Sequence, residues 1–356
     1  MNPYKKLPTE AFWRTAVADI PPLQINKLWK PKFKLDKTQA IATAGSCFAQ
    51  HISKALLSRD YAWLNGEPAP TGLSPESQQM FNYGIFSFRT GNIYTAASLR
   101  QWLEWALTDK AVSDEIWTDN DRFFDPFRPA IEPHGFYNRE ELLASRNVTL
   151  GVIRSVLEQS QYFIFTLGLT EAWINVENNS IYPMCPGTVA GQFNAKQHRL
   201  VNYTHQQTQR DLRESFRLIK TINPNIKFLL TVSPVPLTAT ATKKHVLVAT
   251  TYSKSTLRSV AGEMANARPD TDYFPSYELI TSAPFRGMFF EENLRNVTQE
   301  GIDFVMNCFF SCLGEPLPAH PQKTRVAPAA IASNTSSPNN CEEVLLDAFR
   351  PSKNQL

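Results

Sequence analysis

A short apolar run that ends at a glycine and a serine and then changes to helical spacing is the strongest fold signal in this chain. The run, Ala40-Ile41-Ala42-Thr43-Ala44, has the small apolar residues of a strand that is buried on both faces. After Gly45 and Ser46, apolar residues recur at helical spacing, at Phe48, Ile52, Ala55 and Leu56. A strand that passes directly into a helix is the repeating unit of α/β proteins.

The same alternation continues along the chain. Apolar runs predict further buried strands at residues 162–167, 226–232 and 272–274. Between and after them, periodicity predicts three helices. One is opened by a Thr204–Gln207 capping box, and the others lie at residues 246–265 and 298–310. The pattern predicts an α/β fold, with a doubly wound, mostly parallel sheet flanked by helices.

Three stretches do not follow this alternation. Residues 109–139 and 175–202 lack a clear period, and we expect them to be insertions over the edge of the sheet where such folds bind ligands. Residues 314–356 are rich in Pro, Ala, Ser and Asn, and they are predicted to form a largely disordered tail.

The composition restricts the possible functions. The 356 residues carry a net charge of only +3 and no basic run interleaved with aromatics, which argues against nucleic acid as a partner. No apolar window approaches a membrane span, and the N-terminus does not resemble a signal peptide, so we expect a cytoplasmic protein. Dinucleotide-binding and phosphate-binding glycine motifs and clustered metal ligands are missing from the sequence, so we expect no cofactor and no metal.

Ser46 is the first candidate for chemistry. A serine at a strand-to-helix turn is either a helix cap or a nucleophile whose hydroxyl is exposed at the sheet edge, and the spacing alone leaves both alternatives open. Open parallel sheets bind ligands at the carboxyl ends of their strands. There this chain places Ser46, Glu171 and His245. Together they would supply the nucleophile, the acid that orients a base, and the base that acyl transfer requires.

Several segments carry a family resemblance. Gly45-Ser46-Cys47-Phe48-Ala49 spells GSCFA, and on this pentad the chain is identified as a member of the GSCFA family, which resembles the SGNH (GDSL-type) hydrolases. Phe81-Asn82-Tyr83-Gly84 is similar to the second SGNH block, and Gly168-Leu169-Thr170-Glu171 is similar to the third. Further family landmarks are residues 233–237, 252–255 and 273–278.

The resemblance implies a fold and a reaction. The fold would have a flavodoxin-like strand order in one domain over residues 1–313. The reaction would be ester hydrolysis or O-acyl transfer by Ser46 on a small-molecule or carbohydrate ester, most plausibly an acylated carbohydrate. The oxyanion hole would use the N–H groups of Ser46 and Gly84 and the hydroxyl of Thr170.

One departure from the SGNH pattern concerns the base. SGNH enzymes carry Asp-x-x-His before the last helix, whereas this chain has Asn293 and Asn296 at those places, and asparagine cannot accept a proton. Either the base comes from elsewhere, with His245 as first candidate and His134 and His198 next, or the chain is a catalytically inactive binding protein.

Two further residues have open roles. Glu278 either orients the histidine or holds Lys254 or Arg258 in a structural ion pair, and we favour the ion pair. Cys47 is a competing nucleophile at the helix N-terminus, although a side chain one residue beyond Ser46 is expected to pack inward.

Overall fold

Strands and helices alternate along the chain in the computed structural model, which describes residues 2–316 and 342–350. The strands are β1 Ile41–Gly45, β2 Trp117–Asp119, β3 Arg122–Phe124, β4 Tyr162–Leu167, β5 Glu171–Asn175, β6 Ile181–Tyr182, β7 His198–Asn202, β8 Lys227–Val232 and β9 Thr271–Tyr273. The α-helices are α1 Ala49–Leu57, α2 Pro75–Met80, α3 Ala96–Leu107, α4 Arg139–Gln159, α5 His205–Ile222, α6 Val246–Ala267, α7 Ser276–Thr281 and α8 Gln299–Cys312. All the predicted strands and helices are present, with end points shifted by at most about two residues.

The central sheet is parallel throughout. β1, β4, β8 and β9 lie side by side in that order, and Gly45 is opposite Thr166 at the carboxyl ends of the first two. A parallel bridge joins Ile41 to Trp63 on the free side of β1. Counted with this bridge as a reduced second strand, the order along the sheet is the flavodoxin-like 2-1-3-4-5.

Both faces of the sheet are covered, which explains the uninterrupted apolar runs of its strands. In β4, Phe163 and Phe165 pack on one face among residues of α3, α4, α5 and α6. Tyr162 and Ile164 pack on the other face among residues of α1, α7 and α8. The predicted doubly wound α/β fold is therefore confirmed.

A second, antiparallel sheet follows directly from the carboxyl end of β4. Its strands pair in the order β6-β5-β7, with Glu171 opposite Asn202. Sequence analysis predicted only an aperiodic insertion here, because strands this short show too few alternations to be recognised. The chain then enters α5 through the predicted capping box of Thr204 and Gln207, which is present.

Buried charges fasten the insertion of residues 109–139 to α4. Asp125 accepts hydrogen bonds from Arg128 and from Arg146 of α4, and all three side chains are buried. Burial by itself would raise the pKa of Asp125, but the two guanidinium groups outweigh it and hold the pKa below its usual value.

The folded body extends slightly past the predicted domain boundary at residue 313. Glu315 accepts a hydrogen bond from the Tyr61 hydroxyl at 2.9 Å and forms ion pairs with Lys37 and Arg59 at 3.0 and 3.3 Å. Most of the predicted tail, residues 317–341 and 351–356, lies outside the described residues.

Two kinds of feature are absent from the described ranges. No helix there combines the length and the apolar character that crossing a bilayer needs. No group of three or more His, Cys, Asp or Glu side chains in the same part of the chain is arranged to hold a metal ion.

Candidate active site

Ser46 lies where β1 turns into α1. β1 ends at Gly45, where the φ of +139° and the nearness of the Thr166 carbonyl leave no room for a Cβ. The Ser46 N–H donates to the Thr166 carbonyl oxygen at 3.1 Å, and the Ser46 carbonyl accepts from the Ala49 N–H at 2.8 Å. The N-cap of α1 is Phe48, without a capping side chain. Ser46 therefore does not cap the helix.

The Ser46 side chain is buried. Ser46 is 2% exposed, and its Oγ has no hydrogen-bond partner among the described residues. The expectation that this hydroxyl is exposed is wrong, because the backbone at Gly168 lies against the Ser46 Cβ. Leu169, the next residue, packs with Tyr94 and Leu237 from two other loops. A buried polar group without a partner costs roughly 1–3 kcal/mol. Such groups are rare, and a catalytic role is one reason for their retention.

Residues from two other loops hold the end of β1. The Ile93 N–H donates to the Gly45 carbonyl at 2.8 Å, and the Gly168 N–H donates to the Tyr94 carbonyl at 3.1 Å. Gly168 lies against the serine, since a Cβ on Gly168 would be 2.7 Å from the Ser46 Cβ. The third block of the resemblance thus meets Ser46. Sequence analysis missed Ile93 and Tyr94, because none of the quoted motifs includes them.

Two of the three predicted oxyanion donors already have acceptors. The Ser46 N–H is used by Thr166, and the Thr170 hydroxyl donates to Asn202 Oδ1 at 2.7 Å. In this structure both donors stabilise the scaffold. Gly84 lies in the turn after α2 with a φ of +67°, and its role stays a prediction.

Gln50, four residues after Ser46 and given no role in the sequence analysis, is a second buried polar side chain without a hydrogen-bond partner among the described residues. It is 1% exposed, and neither its amide nitrogen nor its amide oxygen has a hydrogen-bond partner in the described structure. It lines a cavity of about 10 Å³ together with Cys47, Phe48, His51, Val235 and Val297. A cavity of this size holds about one water molecule at most. The Gln50 amide therefore has room beside it for no more than a single water molecule.

Glu171 contacts a loop. Its two carboxylate oxygens accept hydrogen bonds from Thr240 Oγ1 at 2.8 and 3.0 Å. Burial raises the pKa of Glu171, against the opposing effect of hydrogen bonds from Thr240 and from the Ala241 N–H. No histidine is among the partners that the structure shows for Glu171. The carboxylate anchors the loop of residues 233–245, which connects β8 to α6.

His245 is the N-cap of α6. Its side chain is exposed, and its Nδ1 accepts a hydrogen bond from the Leu247 N–H at 3.2 Å. A neutral imidazole that accepts at Nδ1 carries its proton on Nε2, so it cannot take a proton from a serine without giving up the cap. The Ser46 hydroxyl has no hydrogen-bond partner, so the structure does not join His245 to Ser46.

Three other histidines in the described ranges have other contacts or are exposed. His198 Nδ1 accepts from the Asn194 N–H at 3.0 Å, and His134 is exposed on the insertion of residues 109–139. The His51 ring packs edge-on against Phe48, and burial lowers the pKa of His51 to about 4. None of these rings hydrogen-bonds to the Ser46 hydroxyl.

The two predicted supporting residues have structural partners. Glu278 forms an ion pair with Arg258 and accepts from the Tyr273 hydroxyl at 2.7 Å, which confirms the ion-pair alternative. Asn296 Nδ2 donates to Glu291 Oε2 at 3.0 Å and closes the turn before α8.

Lys254 brings an amine into the interior beside the end of β4. Its side chain is 1% exposed, and its Nζ donates to the Gly168 carbonyl oxygen at 2.7 Å. The same face of α6 carries Leu257 and Ala261, which belong to the core. A lysine on an apolar helix face was therefore visible in the sequence. Sequence analysis placed it in the family landmark at residues 252–255 and considered it as a partner for Glu278, but gave it no chemical role.

One comparison with known proteins gives a match. A family model described as the GSCFA family matches residues 40–309, which is more than half of the chain and includes Ser46, Gly168 and Lys254. No curated protein matches the sequence closely enough to count as a relative.

Proposed function

This chain belongs to the GSCFA family, and on that premise we propose that it is a serine-dependent ester hydrolase or O-acyltransferase in which Ser46 is the nucleophile. The observation that carries the proposal is the Ser46 hydroxyl, which is buried at the carboxyl end of a parallel strand and has no hydrogen-bond partner in the part of the chain that the structure describes. A serine with only a structural role readily hydrogen-bonds to nearby backbone. Ser46 keeps its hydroxyl free at the edge where α/β sheets bind ligands.

The reaction proceeds through an acylated Ser46. The Oγ attacks the ester carbonyl carbon, the alcohol leaves with a proton, and water or a second hydroxyl then takes the acyl group. Hydrolysis and transfer differ only in that final acceptor. The positive end of α1 supports the oxyanion.

An acylated carbohydrate is the proposed substrate. This part of the proposal is supported by the resemblance of the motifs around Ser46 and Gly168 to those of SGNH hydrolases. It is tested by supplying acetylated sugars and measuring acetate release against the same sugars without acetyl groups.

In this proposal, the loop of residues 233–245 moves to admit the substrate. Leu237 of this loop packs on Tyr94 and Leu169 at the edge where Ser46 lies, and Thr240 of the same loop is held by Glu171. Loop openings that admit substrate are common in enzymes and take microseconds to milliseconds.

The first prediction is that Ser46→Ala abolishes covalent labelling. We expect a fluorophosphonate probe to modify the parent protein on Ser46, as located by peptide mass spectrometry, and to leave Ser46→Ala unmodified. Hydrolysis of p-nitrophenyl acetate should fall by roughly a thousandfold or more, because the nucleophile is lost. Thermal denaturation checks that the variant folds.

Cys47→Ala is the matched control, because the thiol is adjacent and also buried. Its labelling should equal that of the parent. Labelling that persists in Ser46→Ala and disappears in Cys47→Ala would identify the thiol as the nucleophile and contradict the proposal.

A non-catalytic binding protein is the second candidate. Asn296 favours it, since this residue stands where SGNH enzymes carry their histidine and bonds to Glu291. This alternative expects a parent protein that no fluorophosphonate labels at any pH and that still binds a sugar ester.

A further inference from the structure

The proposed nucleophile needs a proton acceptor, and the histidines are poorly placed to supply it. His245 uses Nδ1 to cap α6, and the Ser46 hydroxyl bonds to no imidazole. His51 lies on the groove that α1 forms with α8, which Lys54 and Asn307 also line. Ser46 lies instead against Gly168, at the end of the neighbouring strand β4.

Lys254 and Ser46 contact the same glycine. The Lys254 Nζ bonds to the Gly168 carbonyl oxygen at 2.7 Å, and the Ser46 Cβ lies 2.7 Å from the place that a Gly168 Cβ would take. One residue without a side chain therefore separates the amine from the serine. Any larger residue at position 168 would collide with the Ser46 Cβ.

A hydrogen bond one residue away fixes α6 in this position. Ser253 Oγ accepts from the Thr170 N–H at 3.0 Å, so the helix is tied to the loop that follows Gly168. Ser253 and Thr170 are both buried. Lys254 consequently reaches the end of β4 from a rigid element, as groups that act on a nucleophile require.

We propose that Lys254 is the proton acceptor for Ser46, an inference that rests on the proposed function. The neutral amine takes the Oγ proton as the bond from Oγ to the ester carbon forms. The resulting ammonium gives that proton to the leaving alkoxide oxygen as the ester bond breaks. In the second step the amine takes a proton from water or from the acceptor hydroxyl and returns it to Ser46 Oγ, so protons balance over the cycle.

Lysine has the properties that this role needs. Burial disfavours the charged form of an amine, which is how lysines become general bases in proteins. The four-carbon stem allows Nζ to turn from the Gly168 carbonyl to the Ser46 Oγ. Serine–lysine pairs are one of the known variants of the serine triad. With Lys254 as acceptor, Asn296 in the usual histidine place is no obstacle to catalysis.

The experiment measures the rate of fluorophosphonate labelling of Ser46 as a function of pH, in the full chain. Lys254→Arg keeps a cation that can donate to Gly168 but cannot accept a proton, so labelling should fall by roughly 10²–10⁴-fold. Lys244→Arg, at an exposed lysine just before α6, is the matched control and should label as the parent does. His51→Gln and His245→Gln should also label at the parental rate.

A second variant keeps the test decisive even if Lys254→Arg does not fold. Thialysine introduced at position 254 replaces one methylene by sulfur and makes the amine more acidic with almost no change in shape. If Lys254 accepts the proton, the rising limb of the labelling profile shifts to lower pH, which a merely structural lysine would not cause.

The outcomes separate this inference from the proposed function. Labelling of Lys254→Arg at the parental rate, an unshifted thialysine profile, or loss of labelling in His51→Gln would overturn the role of Lys254 and leave the nucleophile Ser46 standing. A parent protein that no probe labels would overturn both.

Discussion

The polar groups around Ser46 are of two kinds, those with fixed partners and those without. The Thr170 hydroxyl and the Ser46 N–H are hydrogen-bonded to Asn202 and Thr166. The Ser46 hydroxyl and the Gln50 amide have no such partners within residues 2–316 and 342–350. Groups of the first kind maintain the fold, whereas Ser46 of the second kind is the nucleophile that we propose, so substitutions of the two kinds should have different effects.

At the residue scale, Thr170→Val should destabilise the protein without slowing the chemistry. Valine keeps the shape of threonine but leaves Asn202 Oδ1 without its donor, so the free energy of unfolding should fall by about 1 kcal/mol. Urea denaturation measures the loss, and fluorophosphonate labelling of Ser46 measures the chemistry. Thr118→Val, at an exposed strand position, is the control and should change the stability by less than about 0.5 kcal/mol.

The opposite pattern would restore the oxyanion role that the family resemblance implies for Thr170. That pattern would be labelling of Thr170→Val that is about a hundredfold slower at unchanged stability. A hundredfold loss of rate is typical when one oxyanion donor is removed.

At the scale of elements, the loop of residues 233–245 is the segment that we propose to open for substrate. One of its ends is Ser233 at the close of β8, and the other is His245 at the cap of α6. Between them the loop is held by the apolar contact of Leu237 and a hydrogen bond from the Leu237 N–H to Thr250 Oγ1 at 3.3 Å. Thr240 and the Ala241 N–H also bond to Glu171. A loop opens more easily than the sheet and helices around it.

Leu237→Ala should therefore speed the labelling of Ser46. Losing part of the apolar contact with Tyr94 and Leu169 favours the open loop, and about 1.4 kcal/mol in this equilibrium raises the open population about tenfold. Leu247→Ala, at an exposed position of α6, is the matched control and should label as the parent does. A folded Leu237→Ala protein that labels no faster would show that the probe reaches Ser46 by another route.

At the scale of the whole molecule, the folded body consists of a parallel sheet with an apolar layer on each face. Before residue 317, the last contacts that hold the chain to this body are those of Glu315. The ion pairs with Lys37 and Arg59 connect the end of α8 to the segment before β1 and to the segment after α1. Residues that are far apart in the sequence thus hold the segment after α8 against the rest of the fold.

Truncation tests where the body ends. A protein that stops after residue 316 should keep the stability and the Ser46 labelling of the full chain. One that stops after residue 313 should lose about 1 kcal/mol, because Lys37, Arg59 and Tyr61 lose their common partner. Urea denaturation compares the two, and an unfolded 1–316 protein would show that the body needs later residues.

Local periodicity was sufficient to predict the framework. The strands that end at Gly45, Leu167 and Val232 are apolar on both faces, and the helices after them bury one face. Burial therefore produces apolar runs in the strands and helical spacing of apolar residues in the helices, and both patterns can be recognised in the sequence. The strand ends in turn predicted the position of Ser46 and of Gly168. The antiparallel sheet of β5, β6 and β7 was not predicted, because pairing between strands that are two to five residues long leaves little periodic pattern.

The partners of the polar groups were decided by the tertiary structure alone. The serine is buried because the backbone at Gly168 lies against its Cβ, and Tyr94, Leu169 and Leu237 pack together beside this glycine although they come from loops far apart in the chain. His245 and Lys254 lie on the same helix, yet one caps its exposed end and the other reaches Gly168 inside. Hydrogen bonds act over about 3 Å, so their partners are set by how distant segments pack and not by the spacing of residues along the chain.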